Sequence, residues 1–127
     1  MREINVSQIE DAVAELCIEA NKVLPSDLVS CIKCSVEAEC DDLPRSINEN
    51  LVRNLEAAKE LNIPICQDTG MAVVFIELGQ DVHLVGGLLT DAVNRGVAKG
   101  YTTGLLRKSV VADPINRVNT GDNTPAV

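Results

Sequence analysis

Residues 63–71, Ile63-Pro64-Ile65-Cys66-Gln67-Asp68-Thr69-Gly70-Met71, constrain this chain more than any other stretch. A long helical pattern stops at Pro64, and the apolar run Ala72-Val73-Val74-Phe75-Ile76 starts just after Gly70. Proline removes a backbone donor and fixes φ, whereas glycine opens backbone angles closed to other residues. The junction is therefore short and stiff, and it carries a thiol, an amide, a carboxylate and a hydroxyl on consecutive positions. Polar groups crowded onto a rigid connector between apolar elements point to a binding role. The competing reading is a tight turn in which Asp68 and Thr69 bond only their own backbone.

The flanking elements follow from periodicity. Ser7-Gln8-Ile9-Glu10 has the form of a capping box, and Ile9, Val13, Leu16, Ala20 and Val23 continue from it at helical spacing until Pro25. Ser26-Asp27 opens a second helical pattern through Leu28, Cys31, Ile32 and Ser35. A second capping box, Ser46-Ile47-Asn48-Glu49, follows Pro44 and leads the stripe Ile47, Leu51, Leu55, Ala58 and Leu61, with Asn62 as a stop signal. After Gly70, residues 71–78 are too continuously apolar for a half-solvated strand and predict a buried one. Gly79-Gln80-Asp81 reads as a turn into a second strand, Val82-His83-Leu84-Val85, which together make an antiparallel hairpin. Residues 88–99 return to helical spacing. Gly96, Gly100 and Gly104 recur every fourth residue, which fits either close helix packing or a series of interruptions, with residues 100–104 bending the chain. Polar and turn-forming residues dominate from Asp113 to Pro125, predicting an extended loop.

The fold class implied is α+β, a mainly helical domain with a small antiparallel sheet, and 127 residues suffice for a single core. With one Tyr, one Phe and no Trp, that core is built from Leu, Ile, Val and Ala. A net charge of −8 excludes a nucleic-acid partner, because phosphate binding needs a dense basic face. No apolar run approaches the roughly 20 residues that span a bilayer, so no membrane partner is expected. Five cysteines without a disulfide-scaffold pattern read as reduced thiols, hence a cytoplasmic protein.

Among the cysteines, Cys31-Ile32-Lys33-Cys34 with Cys40 has the spacing of a zinc or thiol–disulfide site. No second pair or histidine pair completes a zinc set, and the redox form wants a strand before a helix that opens at the first Cys. These are read as ordinary helical cysteines, and Cys17 as a small core residue. His83, the only histidine, alternates with Val and Leu and reads as the outward face of a strand.

The segment Pro64-Ile65-Cys66-Gln67-Asp68-Thr69-Gly70 resembles the cluster-binding segment of the class I, iron–sulfur-dependent fumarate hydratases, which the L-tartrate dehydratases share. A second block, residues 106–114 with residues 117–126, resembles the next stretches of that family in the same order. The resemblance implies that residues 1–127 are the amino-terminal, incomplete segment of a hydro-lyase α subunit. Such an enzyme adds or removes water between fumarate and malate on a 4Fe-4S cluster held by three cysteines, with one iron open. Position by position, Cys66 matches the first cluster ligand, and the other two are expected outside this chain. Gln67 and Asp68 are implied at the substrate, Asp68 also as an acid–base group. Arg107 offers the fork a dicarboxylate needs. Thr69 and Gly70 are expected to set the turn, and residues 119–124 to form self-bonded turns supporting the site. Implied partners are a small dicarboxylate, the remaining α-subunit sequence, and a β subunit or carboxy-terminal domain in an oligomer. Tartrate or another hydroxy-dicarboxylate is the alternative substrate. An inactive fragment that needs the missing part or a partner subunit is the alternative outside catalysis.

Overall fold

The computed structural model describes residues 1–127. In chain order the elements are β1 (Arg2–Asn5), α1 (Val6–Lys22), α2 (Ser26–Ala38), α3 (Asp42–Leu61), β2 (Val82–Val85) and α4 (Leu89–Thr103). They form two compact units, one of Met1–Glu19 with Gln67–Val127, the other of Ala20–Cys66. No helix is long and apolar enough to cross a membrane.

The α+β class and the helical content agree with the periodicity, but the sheet differs from the expected one. β1 pairs with β2 in parallel, Arg2 opposite Val82 and Asn5 opposite Val85, with a crossover that contains the first three helices. There is no hairpin, because the partner of β2 is the amino terminus of the chain rather than residues 71–78. Those residues form no strand, and their side chains are not buried as predicted: Phe75 is 93% exposed.

The first unit is organised by α4. Val93, Val97 and Tyr101 recur every fourth residue and meet Val13 of α1 and Leu106 in one buried cluster, with Ala72 and Val74 packed against it. Burying a Val side chain such as Val97 contributes about 1.5–3 kcal/mol. The glycine series is close helix packing rather than a set of breaks, since α4 runs unbroken through Gly96 and Gly100. A Cβ on Gly96 would stand 2.6 Å from the Glu10 carbonyl oxygen, and one on Gly100 2.7 Å from that of Ala14. Small residues here let two helix backbones touch, and larger ones would overpack the contact. Arg95–Glu10 and Lys99–Asp11 ion pairs, both 2.7 Å, flank this contact. The Asp11 hydrogen bond pushes the Lys99 pKa up. Half-burial of Cys17 pushes its thiol pKa up as well, as expected of a core cysteine.

Helix ends explain the remaining boundaries. α1 begins at Val6, directly after Asn5, whose side-chain oxygen accepts from the Ser7 amide at 2.9 Å, so Asn5 and not Ser7 caps it. α3 begins at Asp42, which leaves Ser46 inside the helix, its hydroxyl donating back to the Leu43 carbonyl. Pro44 falls in the first turn, where a missing amide costs nothing. Asn62 stops α3 in the left-handed conformation (φ 54°), with Ile63 donating to the Ala58 carbonyl. α4 ends in the same 6→1 pattern: Leu106 donates to the Tyr101 carbonyl, and Leu105 takes φ 54° where glycine is usual.

The second unit consists of α2 packed along α3 beside the end of α1. Its floor of Val29, Val52, Leu55 and Ile65 opens into a cavity of about 750 Å³ rimmed by Lys22 and Lys59. Cys31, Cys34 and Cys40 are exposed, and no disulfide forms.

Candidate active site

Within the first unit, three distant stretches converge on the turn that follows Cys66. The Tyr101 hydroxyl donates to the Thr69 carbonyl at 2.8 Å and lies 3.2 Å from that of Gly70. The Asn123 side-chain amide donates to the same Gly70 carbonyl at 3.0 Å. The Thr69 hydroxyl donates to the Arg107 carbonyl at 2.9 Å. Gly70 adopts φ 62°, and nothing lies within 4 Å of where its Cβ would be, so backbone conformation rather than space requires glycine there.

Asn123 is the hub of this arrangement. It has no exposed surface, and its carbonyl oxygen accepts from the Ser109 (2.7 Å) and Val110 (3.2 Å) amides while its NH2 reaches Gly70. It sits at φ 65°, a conformation Asn tolerates better than most residues. Its neighbours behave as self-bonded turns: Asn119 accepts from the Gly121 amide, and Asp122 accepts from the Thr124 amide and hydroxyl. Those two Thr124 bonds, the hydroxyl's first, hold the Asp122 carboxyl below its ordinary pKa. Residues 110–120 close into a narrow antiparallel loop through the Val111–Asn119 bridge, with Asp113 capping its tip.

Gln67, Asp68 and Arg107 all lie on this first unit with exposed side chains, and Cys66, also exposed, closes the second unit. The Thr69–Arg107 bond ties the segment bearing Gln67 and Asp68 to the one bearing Arg107. Four hydrogen bonds from three segments hold the turn in one geometry. Lys108 is half-buried, with its carbonyl accepting from the Asn119 amide group. His83 is exposed on β2, and Met71 is exposed rather than in the core.

Two supporting residues stood outside the sequence expectations. Tyr101 fell in a stretch read as a bend, although it completes the Val93, Val97, Tyr101 stripe at helical spacing. Asn123 lies among several turn-forming residues, and no local pattern marks a side chain that bonds 53 residues away.

An iron–sulfur cluster takes thiolates from three or four cysteines. No three His, Cys, Asp or Glu side chains gather into a metal-binding group. The residues of this chain therefore do not fit a whole cluster, whatever Cys66 contributes to one.

Residues 10–127 match the family model described as fumarate hydratase (Fumerase). A Methanocaldococcus jannaschii protein described as a candidate L(+)-tartrate dehydratase subunit alpha is 29% identical over 94% of this chain and 44% of its own length. The L(+)-tartrate dehydratase subunit alpha of Escherichia coli K12 is 29% identical over 94% of this chain and 39% of its own. The chain thus spans about two fifths of the length of these curated relatives. With nearly the whole sequence inside the family model, the chain belongs to the fumarate hydratase (Fumerase) family.

Proposed function

We propose that this chain is the amino-terminal part of a hydro-lyase α subunit, and that the complete enzyme interconverts fumarate and malate. The observation that carries this reading is the stitching of residues 67–70 to residues 107–110 and 123. These are the stretches that resemble the family's site, and the bonds bring their backbones together. Cys66 would supply one thiolate to a 4Fe-4S cluster, with the remaining ligands coming from outside these residues. When bound, that cluster would contribute Lewis acidity toward a carboxylate and hydroxyl.

The chain's own residues bind and orient. Arg107 forms a charge-assisted fork with one carboxylate of the substrate, in a protein otherwise short of positive charge. Gln67 donates to the other carboxylate or to the hydroxyl. Asp68 accepts a proton from the attacking water while a proton drawn from solvent reaches the neighbouring carbon, and in dehydration it returns its proton to the departing hydroxyl. Rigid backbone pinning at Thr69 and Gly70 keeps these groups in place at little entropic cost. The 127-residue chain by itself does no chemistry, because the rest of the subunit and a β subunit or carboxy-terminal domain complete the site.

A second reading is dehydration of tartrate, favoured by the names of both relatives. Arg107 suits either dicarboxylate.

The deciding experiment is anaerobic reconstitution with iron and sulfide of this chain and of the longer product of its reading frame. Visible absorbance is followed together with fumarate hydration and tartrate dehydration. Cluster and fumarate turnover in the longer product, both lost in Cys66→Ser, support the proposal. Arg107→Lys should raise KM about 10–100-fold while leaving cluster absorbance intact, as expected for loss of a bidentate carboxylate contact. Turnover of tartrate alone selects the second reading, and a longer product that binds no cluster and turns over neither substrate refutes both.

A further inference from the structure

Residues 71–78 leave the pinned turn in no helix or strand of their own, and one residue is already paired with them. The Val127 amide donates to the Ala72 carbonyl at 3.0 Å, and the Val74 amide donates to the Val127 carbonyl at 2.7 Å. One residue bonded to both neighbours of its opposite is the repeating unit of a parallel ladder. Val127 therefore lies across from Val73, and the two stretches run in the same direction.

Past that pair the edge stands open. A residue's amide and carbonyl point to the same side of a strand, and this side alternates along it. The Val74 carbonyl, the Ile76 amide and carbonyl and the Leu78 amide consequently continue the row that Val127 begins. The side chains have the character of a strand meant for burial: Ala72 and Val74 pack on the core, while Met71, Val73, Phe75, Ile76 and Leu78 are 47–93% exposed. Apolar residues on both faces mark an interior strand of a parallel sheet, and an apolar edge left open is an association hazard.

We propose that residues 73–78 are a strand of a parallel sheet whose neighbour is the polypeptide that follows Val127 in longer forms of this subunit. The register set by Val127 places the second residue after it opposite Phe75, its amide donating to the Val74 carbonyl and its carbonyl accepting from Ile76. The fourth residue after Val127 accepts from Leu78. Relatives more than twice as long as this chain contain polypeptide for that role, since the chain covers 44% and 39% of them. The inference rests on family membership and this ladder, not on the hydro-lyase chemistry.

Amide hydrogen exchange tests it, comparing the 127-residue chain with the longer product of its reading frame. A chain carrying only the six residues after Val127 serves as the second form should the long product not fold. Ile76 and Leu78 amides should exchange about 100-fold more slowly in the extended forms. Prolines at both the second and fourth added positions remove the donors to the Val74 and Ile76 carbonyls and should speed both amides again. Unchanged rates at both amides, or full protection that survives both prolines, overturn the proposal. So does protection in the 127-residue chain that rises with its concentration, which would make a second copy the occupant. Protection without hydratase activity leaves the pairing standing and counts only against the functional reading.

Discussion

Replacing Asn123 by Ala should unfold the first unit more readily than any other single change near the turn. Asn123 is fully buried, and its loss leaves the Val110 amide without an acceptor in a buried setting, about 1–3 kcal/mol. The Ser109 amide is nearer solvent, and the Gly70 carbonyl keeps Tyr101, so these two together cost about 1–2 kcal/mol. Alanine at φ 65° adds roughly 1 kcal/mol of backbone strain. The sum is about 3–6 kcal/mol, a large part of the ~5–15 kcal/mol typical of a domain. Asn123→Gly escapes the strain and should be milder by about 1 kcal/mol. Asn123→Asp retains the acceptor but turns a carboxylate oxygen toward the Gly70 carbonyl, and should fall between Gly and the parent. The assay is urea unfolding followed by tyrosine fluorescence. The chain has one Tyr and no Trp, and Tyr101 is buried against the turn, so the signal reports this unit alone. A loss below 1 kcal/mol for Asn123→Ala would refute the hub role, and equal losses for Ala and Gly would refute the strain component.

Other substitutions probe the scaffold. Gly100→Ala gains about 1 kcal/mol of helix propensity but sets a Cβ 2.7 Å from the Ala14 carbonyl oxygen, a backbone atom that cannot swing away. Overpacking of about 1–3 kcal/mol should win, lowering the melting temperature in calorimetry. Leu105→Gly should raise stability by about 1 kcal/mol, and the melting temperature with it, because Leu105 is 89% exposed and held at φ 54°. Thr124→Val removes the hydroxyl that lowers the Asp122 pKa. A depressed carboxyl pKa stabilises the fold above the ordinary carboxylate range and loses that effect as pH falls through the folded value. The variant should accordingly be weaker than the parent at pH 7, and the gap should close as the pH drops below about 4. Urea midpoints across that range would read this, and a gap that widens in acid would contradict it.

The local features of this fold are written in the sequence, and the nonlocal ones are not. α1, α3 and α4 follow apolar stripes, and Asn62 stops α3 because a left-handed residue suits Asn. Residues 71–78 carry the composition of a buried strand, yet burial needs a neighbour, and composition does not say where it comes from. β2 pairs with Arg2–Asn5, a polar stretch with only Ile4 turned inward, so no periodicity announces it. The glycines at 96 and 100 signal contact or interruption equally, and only the facing carbonyls of Glu10 and Ala14 decide between them. At the candidate site, the resemblance named the exposed residues Cys66, Gln67, Asp68 and Arg107. The buried groups that hold their backbones, Tyr101 and Asn123, act across 31–53 residues of chain and leave no short-range pattern.

The union of Met1–Glu19 with Gln67–Val127 also dictates an order of events on the ribosome. The amino-terminal helix emerges first, yet the glycine face it fits belongs to α4. At ~5–20 residues per second, that face follows about 4–17 seconds later. Throughout the interval, Val6, Val13 and Ala14 have no native partner to cover them, while α2 and α3, adjacent in sequence, are free to meet at once. Chaperone dependence should therefore track the wait for Gly96 and Gly100, and a faster-translated stretch between α1 and α4 should shorten it.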